Sequence, residues 1–231
     1  MPRISVVLPA YNEEANVELQ VEAVIQTFQP ITPDFEVIVV NDGSRDQTGA
    51  RVQALMTKYP NVRLVEHPKN LGYGAALYSG FTAASKEWVF LTDADRQFDL
   101  NEIHKFLPHV DRADLILGYR TPRRDPFHRR LYGWGWNWLV TLLFGYVARD
   151  VDCAFKLFKR GILDHITIQS RGATFSAEFL VRARRAGYTS VQVPVSHLPR
   201  RAGKPTGARL DVVTRAFREL VQVRVALWRE R

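Results

Sequence analysis

Residues 87–100 read EWVFLTDADRQFDL. An apolar run of strand length ends in two aspartates one residue apart, Asp93 and Asp95. Like charges that close raise each other's pKa and destabilise a fold unless something positive lies between them. The pair is therefore either a solvated acidic turn or a seat for a cation, and the surrounding chain has to decide.

Working outward, the first half alternates short β-branched runs with helical patterns. ISVVLPA (4–10), FEVIVVN (35–41), VRLVEH (62–67) and EWVFLTD (87–93) read as strands, and ADLILGYR (113–120) supplies a fifth. Between them lie EEANVELQVEAVIQTF (13–28), DQTGARVQALMTKY (46–59) and GYGAALYSGFTAAS (72–85), with helical periodicity. This rhythm predicts right-handed crossovers and an α/β fold with a mostly parallel sheet flanked by helices. Open parallel sheets bind ligands beyond the carboxyl ends of their strands. Three polar clusters fall there: PAYNEE (9–14), NDGSRDQT (41–48) and TDADRQFD (92–99). Three on one edge make a site, and a cation between Asp93 and Asp95 becomes the better reading. Mg²⁺ or Mn²⁺ there would bridge carboxylates and a diphosphate, and would stabilise that diphosphate as a leaving group. The glycines of NLGYGAAL (70–77) are not a dinucleotide fingerprint, because the first strand-to-helix turn has none, and P-loop spacing is absent.

After Arg120 the rhythm changes. RTPRRDPFHRR (120–130) holds five arginines against one aspartate, and RRAGKPTGAR (200–209) adds four cations. They account for much of the net charge of +8, which suits phosphate ligands, nucleic acid or an anionic membrane surface. LYGWGWNWLVTLLFGYV (131–147) carries Asn137 and three glycines and is not read as transmembrane. Beside Arg129 and Arg130 its Trp134, Trp136 and Trp138 suit an interfacial helix, with a core helix as the alternative. An amphipathic helix is expected from about Ala208 to Trp228, with Val213, Phe217, Leu220 and Val221 on one face. The start MPRISVVLPAYNEE is too short an apolar run for a signal peptide, and the single cysteine, Cys153, excludes an internal disulfide and fits a reducing cytosol. One domain, 1–231, is expected, with halves at 1–120 and 121–209 and a C-terminal helix over 210–231.

VVLPAYNEE, VVNDGSRDQT, NLGYGAAL, LTDADRQFD, DVDCAFKLFKR and RRAGKPTG, in that order, resemble a family 2 glycosyltransferase of the GT-A fold, in the dolichol-phosphate mannose synthase-like branch. The resemblance runs from Ile4 to Arg209. It implies inverting transfer of a hexose from a nucleotide sugar to a polyprenyl phosphate at the cytosolic membrane face. Relatives often carry transmembrane helices after the catalytic domain, and none is read in this sequence, so peripheral membrane contact is expected. GDP-mannose is the expected donor and UDP-glucose the alternative. By motif match Pro9, Tyr11, Glu13 and Asp42 would surround the nucleoside. Asp93, Ala94, Asp95 and Gln97 would form the metal and diphosphate motif, with Asp93, Asp95 and Gln97 as metal ligands. Arg120 and Arg201, with Lys204, would face the acceptor phosphate. Three positions depart from the pattern: Asn41 in an acidic pair, Arg96 for a glycine, and Pro205-Thr206 for a Ser-Lys, where Lys204 or Arg209 would supply charge.

A phosphate monoester is largely dianionic at neutral pH and attacks without a general base, whereas a sugar hydroxyl requires one. The Gln-x-x-Arg-Trp signature of polymer-forming relatives is absent, which favours the lipid phosphate. Glu178 is the remaining base candidate, with a helix or loop anchor as the alternative. The histidines show no metal-ligand spacing, Cys153 reads as a buried small residue, and Asp152 is expected to pair with an arginine. Rival readings are a transferase to a saccharide hydroxyl and a non-catalytic nucleotide-sugar or nucleic-acid module. The intact Asp-x-Asp and the lack of a nucleic-acid motif count against the module, so no nucleic acid is expected as partner. A homo-oligomer or membrane-protein partner is left open.

Overall fold

A computed structural model describes residues 1–122, 127–200 and 210–229. Among them seven strands form one sheet: β1 (Ile4–Ala10), β2 (Phe35–Asn41), β3 (Val62–Glu66), β4 (Trp88–Thr92), β5 (Leu115–Arg120), β6 (Phe155–Lys159) and β7 (Ser190–Val195). The helices are α1 (Val17–Phe28), α2 (Thr48–Lys58), α3 (Tyr73–Ala83), α4 (Phe127–Phe144), the single turn α5 (Ile162–His165), α6 (Phe175–Arg185) and α7 (Leu210–Arg229). Two 3₁₀ turns, Leu100–Lys105 and Leu107–His109, lie between β4 and β5.

The strand order is β3-β2-β1-β4-β6-β5-β7, with every pair parallel except those made by β6. The expected mostly parallel α/β sheet is present, but β5 does not lie beside β4. The antiparallel β6 comes between them, pairing Thr92 with Phe155 and Leu117 with Lys156. This reversal positions the site. The start of β6 meets the same sheet edge as the carboxyl ends of its neighbours, so the loop carrying Asp150 and Asp152 arrives where Asp93 and Arg120 leave.

The central strands read as continuous apolar runs because both faces are covered. On β1, Ile4, Val6 and Leu8 join one core with Phe28 of α1, while Val7 joins the other with Leu77 and Phe81 of α3. α6 and α7 cover that second face. Packing of α3 on the sheet is close: a Cβ on Gly80 would lie 2.4 Å from Val7 Cγ1 and 3.0 Å from Val40 Cγ2. We therefore expect Gly80→Ala to destabilise the protein despite improved helix propensity. Overpacking costs about 1–3 kcal/mol and propensity returns at most about 1 kcal/mol. An unchanged or raised Tm would contradict this packing.

Two helices carry apolar side chains on more than one face. On α7 the buried row is Ala216, Leu220, Val223 and Leu227. Phe217 and Val221, expected beside Leu220, instead face outward with Val225 and Trp228. The physical reason is angular: positions 217, 221 and 225 follow one helical row, and 216, 220, 223 and 227 follow another. The side chain of Val213 lies outside the described residues. On α4, Val140 is buried and Trp136, Leu139 and Leu143 pack on the core, while Leu131, Trp134, Trp138 and Leu142 are exposed. The core-helix reading thus describes one face of α4, and the other face presents its aromatic and aliphatic side chains outward. Among the described residues no helix is long and apolar enough to cross a membrane.

Candidate active site

The three polar clusters do converge. Asn12, in the left-handed region at φ 55°, donates from its backbone N–H to Ser44 Oγ at 2.9 Å, and its Oδ1 accepts from Arg45 N–H at 2.8 Å. This stitches the loop after β1 to the loop after β2. Arg200 joins the first cluster to the third: one end of its guanidinium pairs with Glu13 Oε1, and Nη1 lies 3.5 Å from Asp95 Oδ2. Glu13 is buried and also accepts from Asn16 Nδ2 at 2.7 Å.

Asp93 is held from two sides. Tyr73, the first residue of α3, donates its hydroxyl to Oδ1 at 3.0 Å, and Gln20 of α1 donates to the Asp93 carbonyl at 3.0 Å. Tyr73 is exposed and Asp93 half-buried, so both are open to a ligand at this sheet edge. Burial, and then the Asp95 charge, push the Asp93 carboxyl up to about 7, against the Tyr73 hydrogen bond and the positive charges of Arg120 and Lys156. The same crowding and the Asp93 charge raise the Tyr73 hydroxyl. Asp93 in this state is a carboxyl whose charged form a bound cation would favour.

Arg120 leaves the end of β5 and is fixed there by Asp150. Nε donates to Oδ2 at 2.7 Å and Nη2 to Oδ1 at 2.8 Å, a two-pronged pair that is largely buried. Asn137 of α4 braces the Asp150 loop, accepting from Val151 N–H at 3.1 Å and donating to the Arg149 carbonyl at 3.2 Å. The arginine partner expected for Asp152 therefore belongs to Asp150. The chain bends over residues 149–152 before entering β6, and Asp152 is exposed there. Crowding by the protein raises its carboxyl, while Lys156 and Arg120 lower it.

Several expected site residues have other work. Gln97, placed among the metal ligands, donates Nε2 to the Leu198 carbonyl at 3.0 Å, and its own carbonyl accepts from Leu198 N–H at 2.8 Å. It clamps the loop after β4 to the segment after β7. Asp42, expected around the nucleoside, accepts the N–H groups of Leu71 and Gly72, each at 2.9 Å, and contacts His67 Nδ1 at 2.7 Å. Its carboxylate braces the loop that aims Tyr73. Glu178 is not a free base. Its carboxylate accepts from Gln169 N–H at 3.1 Å, Ser170 N–H at 2.7 Å, Ser170 Oγ at 2.5 Å and Arg182 Nε at 2.7 Å. Burial alone would raise its pKa, but these donors hold it lowered. It anchors a loop, the alternative noted for it above. Pro9 and Ala94 are buried in the frame, and Tyr11 is half-buried. Arg201, Lys204 and Arg209 lie outside the described residues.

Two residues that carry charge here, Arg200 and Lys156, escaped the sequence reading. Arg200 bridges Glu13 and Asp95, and the doubled arginine of RRAGKPTG was the available signal. Lys156 is fully buried in β6, donates Nζ to the Cys153 carbonyl, and has its pKa lowered by burial. The apolar letters around it in AFKLF hid it as an ordinary strand residue. Arg96 adopts φ 61°, in the left-handed region that glycine enters at no cost. The resemblance expects glycine there, so this chain keeps a glycine backbone under a cationic side chain. Cys153 is buried, and burial pushes its thiol up to about 12, so it is inert.

A family model described as glycosyl transferase family 2 matches residues 5–167. The chain belongs to that family. It is 32% identical over 202 residues to a dolichyl-phosphate β-glucosyltransferase, ALG5D of Trichomonas vaginalis, covering 79% of this chain and 62% of that protein. Curated relatives are matched over 33% to 64% of their own length. Among solved structures, glucosyl-3-phosphoglycerate synthase from Mycobacterium tuberculosis, in complex with Mn²⁺, UDP and glucosyl-3-phosphoglycerate, superposes with a TM-score of 0.66 at 22% identity, covering 97% of this chain and 79% of that one. The mannosyltransferase PcManGT from Pyrobaculum calidifontis, in complex with GDP-Man and Mn²⁺, gives 0.68 at 20% identity, covering 96% and 64%. The fold is that of the GT-A glycosyltransferases.

Proposed function

We propose that this chain transfers a glucosyl unit, with inversion, from UDP-glucose to a polyprenyl phosphate. One observation carries the reading: a cation-seeking aspartate pair and an arginine locked by a buried aspartate share one sheet edge. The pair suits a metal-bound diphosphate that leaves, and the arginine suits a phosphate that attacks. UDP-glucose moves ahead of the expected GDP-mannose because relatives at 32% and 29% identity are named dolichyl-phosphate β-glucosyltransferases.

Asp93 and Asp95 would hold Mg²⁺ or Mn²⁺. Among the described residues no group of three His, Cys, Asp or Glu side chains forms a metal cage, and cations of this kind commonly use two carboxylates plus substrate phosphates. When bound, the ion supplies charge stabilisation to the departing diphosphate. Arg200 adds a cation beside the pair, and Arg120, oriented by Asp150, positions the acceptor phosphate. No proton has to leave that phosphate, which agrees with the saturated Glu178. The outward Trp134 and Trp138 of α4, 66% and 57% exposed, would rest at a membrane surface where the lipid acceptor resides.

Metal binding should depend on pH in a defined direction. The Asp93 pKa rises from 3.8 to about 7 on folding. The metal-free fold therefore favours the protonated form and loses stability as pH climbs through that interval. A divalent cation competes with this proton, so its benefit grows over the same range. The rise in Tm caused by Mn²⁺ is expected to be larger at about pH 8 than at about pH 6. A shift of equal size at both would count against Asp93 as a ligand.

The deciding experiment is a panel of UDP-glucose, GDP-mannose and other UDP- and GDP-sugars, with a short polyprenyl phosphate and Mn²⁺. Transfer from UDP-glucose to the lipid phosphate is expected. Transfer from GDP-mannose alone would replace the donor, and transfer only to free sugars would overturn the acceptor.

A further inference from the structure

A cavity of about 410 Å³ lies between α4, α6 and α7. Phe144, Val147, Val181 and Leu227 give it an apolar floor, while Arg184, Arg185 and Arg224 stand around it, and no carboxylate lines it. None of the three arginines makes an ion pair among the described residues. Two are seated by backbone: Arg184 donates to the Tyr146 carbonyl and Arg185 donates to the Leu227 carbonyl at 2.8 Å. Gly145, at φ 80°, leaves room for the first, since a Cβ there would lie 3.1 Å from Arg184 Nη1. Arg224 makes no hydrogen bond among the described residues and is half-buried.

Apolar floor and uncompensated arginines call for different ligand chemistry. A free anion has no use for the floor, and a neutral hydrocarbon has no use for three guanidiniums. An amphiphilic anion uses both, its phosphate on the arginines and its chain along the floor. The flanking surface points the same way. Leu142 on α4 and Tyr146 just after it are exposed, as are Val225 and Trp228 on α7, so apolar side chains flank the cavity on both helices.

We infer that this cavity is a binding site for the headgroup of an anionic phospholipid, separate from the acceptor site at the sheet edge. The inference deepens the membrane part of the proposed function and rests on it. It needs neither donor nor acceptor, so it can be tested apart from transfer.

The test is flotation of the intact protein with phosphatidylcholine vesicles, with or without about one-third phosphatidylglycerol. Binding is expected with the anionic vesicles and should fall at least about tenfold for Arg224→Glu. Arg224→Gln, a milder change, should fall by about fivefold with its melting temperature unchanged. Arg112→Glu is the control. Arg112 follows the 3₁₀ turns, whose Ile103 and Phe106 pack on the other face of the sheet from α6 and α7, and its change should cost less than about twofold. Equal binding to both vesicle types, or equal loss in the Arg112 variant, would overturn the site in favour of apolar or diffuse attachment. A thermal shift with inorganic phosphate alone, abolished by Arg224→Gln, would reassign it to a soluble anion.

Discussion

Asp95→Asn is expected to lower kcat/KM for sugar transfer by about 10³-fold or more, equivalent to about 4 kcal/mol of transition-state stabilisation. The substitution removes a charge but keeps an oxygen that can accept the Gln97 N–H bond at 3.1 Å, so the fold should persist. Two further consequences separate a metal ligand from a structural acid. The Mn²⁺-induced rise in Tm should disappear. Asp93 should also ionise more easily, because the neighbouring charge that raises its pKa has gone. Retained turnover in the presence of chelator, for either form, would remove the metal from the reaction.

Arg120→Ala should abolish transfer and also weaken the fold. Arg120 and Asp150 are a buried pair with side chains 14% and 6% exposed, and removing one partner takes that charge from the other. Such a loss costs about 3–5 kcal/mol. Pairing it with Asp150→Ala removes both charges, and most of that stability should return. Activity should not return, if Arg120 itself holds the acceptor phosphate. A double variant that regains both stability and transfer would make the pair purely structural. Arg120→Lys completes the series: it keeps the charge, loses the planar fork, and should raise KM for the phosphate acceptor more than it lowers kcat.

Much of this was legible in advance because it follows from local rules. Fully buried strands appear as uninterrupted β-branched runs, and polar clusters beyond their ends mark the ligand edge. That reading located Asp93 and Asp95 at the ligand edge without coordinates, and the family resemblance added Arg120. What it does not report is which group comes to meet each side chain. Gln97 and Asp42 stand in the expected loops, and Leu198 and the Leu71–Gly72 amides, far along the chain, hydrogen-bond to them there. Arg96 shows the converse: its position has the backbone angle of a glycine, and no letter in the sequence reports a dihedral.

The sequence by itself determined the α/β class, the family, and the acid pair at the end of β4, because side-chain period and motif order are properties of contiguous residues. Only the tertiary structure decided that β6 runs backward between β4 and β5. That reversal brings Asp150 to Arg120 and buries Lys156 between β4 and β5, and it arises from long-range strand pairing that no local pattern encodes. The same distinction separates the two faces of α7. A hydrophobic stripe states that burial is wanted, and only the packing against α4 and α6 shows which row obtains it and which remains outward, beside three arginines.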